Sequence, residues 1–299
     1  MHGILLLDKP CGLSSNRALQ RVRGLLAGAK AGHVGSLDPL ASGMLPICLG
    51  EATKVAGEIV GRRKRYRFTV RLGARTESGD AEGAVSERAA VPALERPQVE
   101  AALRSFVGER AQIPPMYSAL KHAGEPLYRL ARSGLIVERA ARRIELAELT
   151  LSALGHEALE LETLCSKGTY IRVLAEDIAT ALGTVGHVIA LRRLYVEPFE
   201  REPMQTLESL EACCARGESP PLLAADFPLA GLGAAHLDAA AARRLQHGQR
   251  VPAPAELALP AAGAAAKVRL YDERGRFIGL GEADALGDLK PRRLLNLAP

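Results

Sequence analysis

The carboxylate of Asp38 stands alone in a segment of small and turn-forming residues, His33-Val34-Gly35-Ser36-Leu37-Asp38-Pro39-Leu40-Ala41-Ser42-Gly43. A carboxylate placed in this way either caps a helix or takes part in catalysis, as a fixed negative charge or as a nucleophile. Pro39 biases Asp38 toward an extended backbone and suits the first position of a helix. Considered locally, the pattern predicts that Asp38 is the N-cap of a helix beginning at Pro39, and catalysis is the alternative.

The residues on either side of this segment predict the elements that hold it. Residues 3 to 7 are an apolar run typical of a buried strand, and the turn after them leads into a helix over residues 16 to 26, capped near Ser14 or Ser15. Apolar residues recur at every second position from Tyr66 to Leu72, so this segment predicts a strand with one packed face. The opposite face is expected to meet phosphate through three arginines, Arg65, Arg67 and Arg71.

The middle of the chain mixes helices and strands without a regular β-α-β rhythm. We expect helices over residues 97 to 106 and 127 to 132 from their apolar periodicity. Residues 136 to 164 alternate enough to form two strands. Residues 169 to 172 predict a third strand, which passes into a helix over residues 173 to 181. This order is typical of an α+β fold with a mixed, largely antiparallel sheet.

A change of composition near Ala230 predicts two domains, residues 1–229 and residues 230–299. A chain of 299 residues exceeds the usual size of a single domain. Residues 251 to 266 are rich in Ala and Pro with little to pack, and a hairpin follows them, with its turn at residues 272 to 275. We therefore expect a small β-rich C-terminal module, which carries the basic cluster Lys290, Arg292 and Arg293.

Composition excludes several classes of protein. The 39 Lys and Arg residues against 34 Asp and Glu give a net charge of +5, an excess that matters only where it is clustered. Five cysteines show neither a disulfide framework nor the spacing of a zinc site, which predicts a reducing compartment and no metal. The apolar run at residues 4 to 7 is too short for a signal or a membrane span. We expect a cytoplasmic protein with no membrane attachment.

Five blocks of sequence, in order between residues 3 and 195, resemble the TruB family of bacterial tRNA pseudouridine-55 synthases. The blocks cover residues 7–15, 33–54, 64–76, 112–143 and 165–193. Departures from the family's common form are small, since Ser14, Ser42 and Ser78 stand where threonine is frequent and each keeps a hydroxyl. The resemblance implies the pseudouridine synthase catalytic fold, with residues 112–143 as a thumb-like insertion. It also implies a small PUA-like C-terminal RNA-binding domain.

The resemblance assigns three catalytic residues. Asp38 matches the catalytic aspartate, and Arg172 is expected to pair with it and compensate its charge. Tyr66 matches the active-site tyrosine that stacks on the target base, and it is a candidate for assisting the loss of the C5 proton. Tyr170 and Arg172 are two residues apart, so on a strand both would point into one cleft. Whether Asp38 attacks the sugar at C1′ or the base at C6 stays open.

Further residues are expected to contact the RNA substrate. By resemblance, His33 lies near the flipped nucleotide, Tyr170 contacts the substrate, the backbone around Leu191 touches the uracil, and Lys9 belongs to a motif that buttresses the catalytic loop. Pro114 and Pro115 exclude regular structure in the first part of the thumb-like insertion. Basic residues are expected to bind RNA phosphates: Arg62, Arg63, Lys64, Lys121, Arg139, Arg142 and Arg143.

The implied activity is isomerisation of uridine 55 to pseudouridine in the TΨC stem-loop of tRNA. The reaction gains and loses no atoms, so it needs no cofactor and no metal. We expect a stand-alone monomer with no protein partner. The guide-RNA synthases of the same superfamily need partner proteins, and the thumb-like block and short tail of this chain fit the stand-alone bacterial form better. The alternative is a non-catalytic RNA-binding or tRNA-folding protein that uses the same groove.

Overall fold

Strands and helices alternate irregularly along the chain, as the residue pattern predicts. The computed structural model describes residues 1–296. The helices are α1 (Ser15–Leu25), α2 (Ala56–Val60), α3 (Arg96–Arg104), α4 (Leu127–Arg132), α5 (Ile171–Ala181), α6 (Leu207–Ala215) and α7 (Ala239–Gln246). The strands are β1 (Gly3–Lys9), β2 (Ala31–His33), β3 (Ala41–Leu49), β4 (Lys64–Leu72), β5 (Ala74–Thr76), β6 (Val85–Arg88), β7 (Gly108–Gln112), β8 (Lys121–His122), β9 (Glu125–Pro126), β10 (Arg142–Leu154), β11 (Ala158–Cys165), β12 (Gly186–Val196), β13 (Gly233–His236), β14 (Val251–Pro252), β15 (Ala265–Tyr271), β16 (Phe277–Asp284) and β17 (Asp288–Leu294).

One large sheet organises the N-terminal part of the chain. Its strand order is β1-β3-β12-β4-β11-β10-β7, and β2 pairs with β3. The pair β3–β12 is parallel and the other pairs are antiparallel. The α+β fold with a mixed, largely antiparallel sheet is therefore confirmed. The alternation in β4 is confirmed as well, since its residues from Tyr66 to Leu72 are buried at every second position.

The first helix begins where the capping residue predicts. Ser14 has extended backbone angles, and its side-chain oxygen accepts a hydrogen bond from the Arg17 backbone N–H at 3.2 Å. This hydroxyl satisfies one of the N–H groups that a helix leaves unpaired at its start. Leu19 and Val22 then turn toward the strands of the large sheet and are buried there.

The prediction that Asp38 caps a helix is wrong. After Asp38 the chain makes a turn, in which the Ala41 N–H donates to the Asp38 carbonyl at 3.1 Å, and it then enters β3. The residues of β3 are almost all buried between β1 and β12, so packing of the sheet decides the conformation that Pro39 alone left open. The Asp38 carboxylate is therefore free for another role.

The predicted strand at residues 169 to 172 is also wrong. Helix α5 begins at Ile171 and takes Tyr170 as its N-cap residue. The β-branched side chains of Thr169, Ile171 and Val173 favour a strand locally, but the helix buries Ile171, Leu174 and Ile178 along one face. Tertiary packing thus outweighs local propensity, and Arg172 lies in the first turn of a helix.

The arginines on the open face of β4 have carboxylate partners on neighbouring strands. Arg67 lies 2.7 Å from Glu162, and Arg71 lies 3.2 Å from Glu157 near the start of β11. Arg65 forms an ion pair with Glu148 of β10. The expectation that this face meets phosphate overlooked these acidic side chains, which neutralise the arginines within the protein.

A second sheet forms the C-terminal part of the chain. Its order is β13-β15-β16-β17-β14, and β15 and β16 form the predicted hairpin. The Ala/Pro-rich stretch packs more than its composition predicts, because Val251 and Leu257 are both buried in the core of this sheet. In the basic cluster, Lys290 and Arg292 both pair with Glu282, at 2.6 and 3.2 Å.

The second sheet lies against the segment that follows β3, which consists of a 3-10 helix (Gly50–Val55) and helix α2. The Lys54 ammonium donates to the Leu294 carbonyl at 2.8 Å, and Lys267 pairs with Glu58 at 2.7 Å. Val55 packs beside Leu280 in a small apolar cluster. Among residues 1–296, the helices are all too short or too polar to cross a bilayer.

Candidate active site

The Asp38 carboxylate forms an ion pair with Arg172, as the resemblance implies. Arg172 Nε lies 2.9 Å from Asp38 Oδ2. Two further N–H groups of the guanidinium donate to backbone carbonyls, at 2.6 Å to Ser78 and at 2.7 Å to Tyr117 of the thumb-like insertion. The arginine side chain is 5% exposed, whereas that of Asp38 is 42% exposed. The fork geometry of arginine thus fixes the carboxylate while leaving part of it accessible.

A second carboxylate near this pair, Asp80, is a residue that the sequence did not single out. Asp80 Oδ2 lies 3.7 Å from Arg172 Nε, and the residue is buried. Its other oxygen accepts hydrogen bonds from the Ser78 hydroxyl at 2.6 Å and from the Glu82 backbone N–H at 3.1 Å. The polar segment around it is typical of a surface loop, which concealed the burial of this one side chain.

Opposing effects set the charge of Asp38. Desolvation in the site raises the pKa of this carboxyl above its ordinary value, and the neighbouring Asp80 acts in the same direction. Arg172 opposes the rise by its charge and by its hydrogen bond. Arg172 is therefore the main group that keeps Asp38 ionised.

Lys9 supports the loop that carries Asp38. It is fully buried, and its ammonium donates to the carbonyls of Pro10 at 2.8 Å, Leu13 at 2.6 Å and Pro39 at 3.4 Å. Burial lowers its pKa to about 8. The expectation that Lys9 contacts substrate is not supported by this placement, which instead fits the buttressing role of its motif.

Replacement of Lys9 by Met should reduce stability in a pH-dependent way. The folded protein holds Lys9 with a pKa of about 8, below the ordinary 10.5, so the unfolded chain binds more protons between these values. Wild-type stability therefore gains a contribution as pH rises from about 8 to 10.5 that Lys9→Met lacks. Urea unfolding across this range should show the stability difference growing with pH. Parallel curves for the two proteins would show that Lys9 titrates normally when folded.

Most of the predicted catalytic and substrate residues meet at one cavity of about 440 Å³. Its lining includes Asp38, Tyr66, Tyr170, Arg172 and Leu191. Tyr66 is buried and Leu191 lies on the neighbouring strand, opposite Phe68. Lys64 also lines the cavity, whereas Lys9 and His33 do not. The arrangement places a partly accessible carboxylate, its arginine partner and an aromatic ring around a space that can hold a nucleotide base.

Comparisons with known proteins agree with this geometry. Three family profiles match consecutive parts of the chain: "TruB family pseudouridylate synthase (N terminal domain)" over residues 23–171, "tRNA pseudouridylate synthase B C-terminal domain" over 172–224, and "Pseudouridine synthase II TruB, C-terminal" over 233–295. A protein named tRNA pseudouridine synthase B from Chromohalobacter salexigens is 50% identical over 298 residues, which cover 100% of this chain and 95% of the relative. The chain belongs to the TruB family.

Other similarities agree with membership of the TruB family. The tRNA pseudouridine synthase B of Hydrogenovibrio crunogenus is 46% identical over 300 residues, again covering 100% of this chain and 95% of the relative. The structure titled "Structure of H/ACA RNP bound to a substrate RNA containing 2'-deoxyuridine" has a TM-score of 0.74 at 21% identity, covering 99% of this chain and 85% of that chain. The "Crystal Structure of a Cbf5-Nop10-Gar1 Complex" has a TM-score of 0.71 at 23% identity, covering 99% and 84%. These two structures show the same fold.

The thumb-like insertion of this TruB-family chain is tied to the site at its first residue. The buried carboxamide of Gln112 accepts from the Tyr170 N–H at 2.8 Å and donates to the Tyr170 carbonyl at 3.1 Å. Gln112 pairs with Arg142 at the other end of the insertion. Tyr170 and Arg172 both line the cavity, as predicted. They reach it from the start of helix α5 and not from a strand.

A second arginine at the cavity, Arg193, was not predicted as a site residue. It lies two residues after Leu191 on β12, and both line the cavity. The alternation of a strand places such residues on one face, so the position of Leu191 was a usable signal for Arg193. The neighbouring Arg192 points away from the cavity and pairs with Asp8 at 2.8 Å.

His33 ends β2, five residues before Asp38. Burial lowers its pKa, and the charge of Arg193 acts in the same direction. Its Nδ1 atom is buried without a hydrogen-bond partner among the described residues. The lowered pKa favours the neutral imidazole, and because His33 does not line the cavity its RNA contact stays a prediction.

The residues predicted to bind phosphate differ in how available they are. Lys64 is buried and donates to the carbonyls of Val60 and Arg62. Arg62 donates to the Pro228 carbonyl, and Arg63 pairs with Glu197 at 2.9 Å.

The basic residues of the insertion are more open. Arg139 donates to the Pro114 carbonyl at 3.2 Å, and Arg143 pairs with Glu109 on the surface. Lys121 and Arg142 are exposed and form no ion pair within the described part of the chain. These two are therefore the freest of the predicted phosphate contacts. Across residues 1–296 no three His, Cys, Asp or Glu side chains lie close enough together to share a metal ion.

Proposed function

We propose that this chain converts uridine 55 of tRNA to pseudouridine, with Asp38 as the catalytic carboxylate. The observation that supports this most directly is the pair of Asp38 and Arg172 at a cavity walled by Tyr66. A protein that only binds RNA has no use for a carboxylate facing a phosphate-rich ligand, because the two charges repel. Membership of the TruB family supports the same activity.

The reaction breaks the bond between N1 and C1′, turns the uracil, and joins it again through C5. The sugar becomes electron-poor, and an ionised carboxylate can stabilise it by charge or by a covalent bond. Arg172 keeps Asp38 ionised against desolvation and holds its oxygen in place. Tyr66 stacks on the ring, and its hydroxyl is a candidate for assisting the loss of the C5 proton.

The target uridine must leave its stacked position to reach the cavity. Flipping a base out costs on the order of a few kcal/mol. Stacking on an aromatic side chain such as Tyr66 returns roughly 1–3 kcal/mol. We infer that phosphate contacts from the thumb-like insertion, Lys121 and Arg142 foremost, supply much of the remainder. The resemblance assigns His33 and the backbone around Leu191 to contacts with the flipped nucleotide, and Leu191 lines the cavity.

The partner of this site is the TΨC stem-loop of tRNA, bound by a single copy of the chain without a protein partner. We propose that residues 1–229 carry the chemistry and that residues 230–299 add a PUA-like surface for RNA. A cytoplasmic location stays a prediction from composition.

Release of tritium from tRNA labelled at C5 of uridine tests the proposed activity. The purified chain should release one tritium per unmodified tRNA molecule, and mapping of the product should place pseudouridine in the TΨC arm. A tRNA whose target uridine is replaced by cytidine should release none from that site. Tight binding without any release would favour the non-catalytic RNA-binding alternative.

A further inference from the structure

Arg193 brings a positive charge to the cavity without a carboxylate beside it. The residue is 1% exposed and lines the same cavity as Asp38. Its N–H groups donate to the backbone carbonyls of Met44 at 2.6 Å and of Gly35 at 2.8 Å. Within residues 1–296 it forms no ion pair, so dipoles alone compensate its charge. A buried cation kept in this way costs free energy, which points to a role for the charge itself.

Arg193 lies across from Tyr66 in the large sheet. Arg193 and Tyr66 are directly opposite each other on the antiparallel strands β12 and β4, where paired side chains share one face. Both side chains line the cavity, and burial raises the pKa of the Tyr66 phenol while the charge of Arg193 opposes this rise. A guanidinium has donors and no acceptor, so the phenol oxygen is the acceptor in any hydrogen bond between these two side chains. The phenol proton then remains available for a third group.

The proposed reaction creates negative charge near this hydroxyl. When the bond from N1 to C1′ breaks, its electron pair stays on the uracil, shared between N1 and the ring carbonyls. The sugar is left electron-poor beside Asp38. The electron pair forms the new bond when C5 attacks C1′; the C5 proton then leaves to solvent and N1 takes up a proton, so the product is neutral. A hydrogen-bond donor backed by a fixed cation stabilises such transient charge strongly in a site that excludes water.

We propose that Arg193 is a positioning residue that holds the Tyr66 hydroxyl as a donor toward the detached uracil and adds its own charge to that interaction. The inference rests on the proposed function. It gives the cavity two cations with separate tasks: Arg172 keeps the carboxylate ionised, and Arg193 supports the leaving base through Tyr66. The hydrogen bonds of Arg193 to Gly35 and Met44 keep the guanidinium fixed while the base turns.

A double-mutant cycle on single-turnover tritium release tests whether Arg193 acts through Tyr66. Arg193→Met should lower the rate by about 10²-fold at saturating tRNA, with little change in the tRNA concentration for half-maximal rate. In a Tyr66→Phe background the same change should cost less than about fivefold, because the hydroxyl that it supports is gone. Equal losses in both backgrounds would show that Arg193 only braces the loop, and the proposal would fail.

A spectroscopic measurement checks the contact without RNA. Ultraviolet titration of the wild type minus Tyr66→Phe isolates the phenolate signal of Tyr66. In Arg193→Met this signal should appear at higher pH, because the cation that favours the phenolate is lost. An unchanged titration would contradict the proposal.

Arg193→Lys replaces the Met variant if that variant does not fold. Lysine keeps the charge, so Arg193→Lys should release tritium at least about tenfold faster than the 10²-fold reduced rate expected for Arg193→Met. The loss that remains in Arg193→Lys must also be smaller in the Tyr66→Phe background.

Arg192→Met is the matched control. It removes a charge from the neighbouring residue of the same strand, where the side chain is 40% exposed and pairs with Asp8. Its rate at saturating tRNA should stay within about threefold of wild type, since it does not face the cavity. A wild-type protein that releases no tritium would defeat the proposed function, whereas an active wild type without coupling would defeat only the role of Arg193.

Discussion

Asp38→Asn is expected to bind tRNA about as well as the wild type and to release tritium at the background rate. The amide keeps the shape of the side chain and an oxygen that accepts from Arg172 Nε, so the loop should keep its position. It carries no negative charge and is a poor nucleophile, so the electron-poor sugar loses its stabilising group. The loss should be roughly 10⁴-fold or more, in the range seen when one member of a catalytic set is removed.

Two measurements separate this loss from a loss of folding or binding. Urea unfolding of Asp38→Asn should stay within about 2 kcal/mol of the wild type, because the neutral residue no longer has to be desolvated as a charge. Filter binding should give a similar dissociation constant for tRNA. Substantial residual turnover would show that Asp38 is not the catalytic carboxylate.

Asp288→Asn is a suitable control for this variant. Asp288 also faces an arginine, Arg250 at 3.6 Å, but it is a half-exposed residue of the C-terminal sheet. Loss of its charge should leave tritium release close to wild type, since exposed ion pairs contribute only about 0–1 kcal/mol. A comparable loss in both variants would point to a general effect of charge on RNA binding.

The residue pattern predicted the elements of the fold better than the contacts of the site. Periodicity gave the strand carrying Tyr66, the first helix with Ser14 as its cap, and the C-terminal hairpin. These features depend on neighbours in the chain. The pairing of Asp38 with Arg172 came only from the family resemblance, because no spacing rule links two residues so far apart. The preferences of Pro39 and its neighbours predicted that Asp38 caps a helix, but the chain enters the buried strand β3 instead.

The missed residues share a physical cause. Asp80 belongs to a polar turn and Arg193 to a pair of arginines, and charged residues in such contexts usually lie at the surface. Both are buried here because other polar groups satisfy them: Ser78 and a backbone N–H for Asp80, and two carbonyls for Arg193. Those partners come from distant loops and strands. A sequence shows the charged residue but does not show the hydrogen-bond partners that offset the cost of burying it.

Arg172→Met is expected to lower both stability and activity. Its guanidinium joins Asp38, the Ser78 carbonyl and the Tyr117 carbonyl. The apolar side chain leaves these oxygens and the nearby Asp80 without a cation, so the free energy of unfolding should fall by about 3 kcal/mol. Urea unfolding measures this change. Arg67→Met, which removes an exposed arginine paired with Glu162, should cost less than about 1 kcal/mol.

Arg172→Lys separates the charge of the arginine from its shape. Lysine keeps the positive charge, but a single ammonium cannot serve three acceptors held around a planar fork. Single-turnover tritium release should fall by roughly 10²-fold, less than in Arg172→Met. Wild-type activity in Arg172→Lys would show that charge alone is needed and that the hydrogen bonds to the insertion have no part in catalysis.

The pH dependence of the Arg172 variants tests the electrostatic argument directly. Asp38 must be ionised to act, burial raises its pKa, and Arg172 is the main opposing influence. Removal of the guanidinium should therefore raise the pKa further, and the acid limb of the rate profile should move to higher pH in Arg172→Met. Arg172→Lys should move it less, because the ammonium still favours the carboxylate. Profiles with identical acid limbs would mean that Arg172 positions Asp38 without controlling its charge.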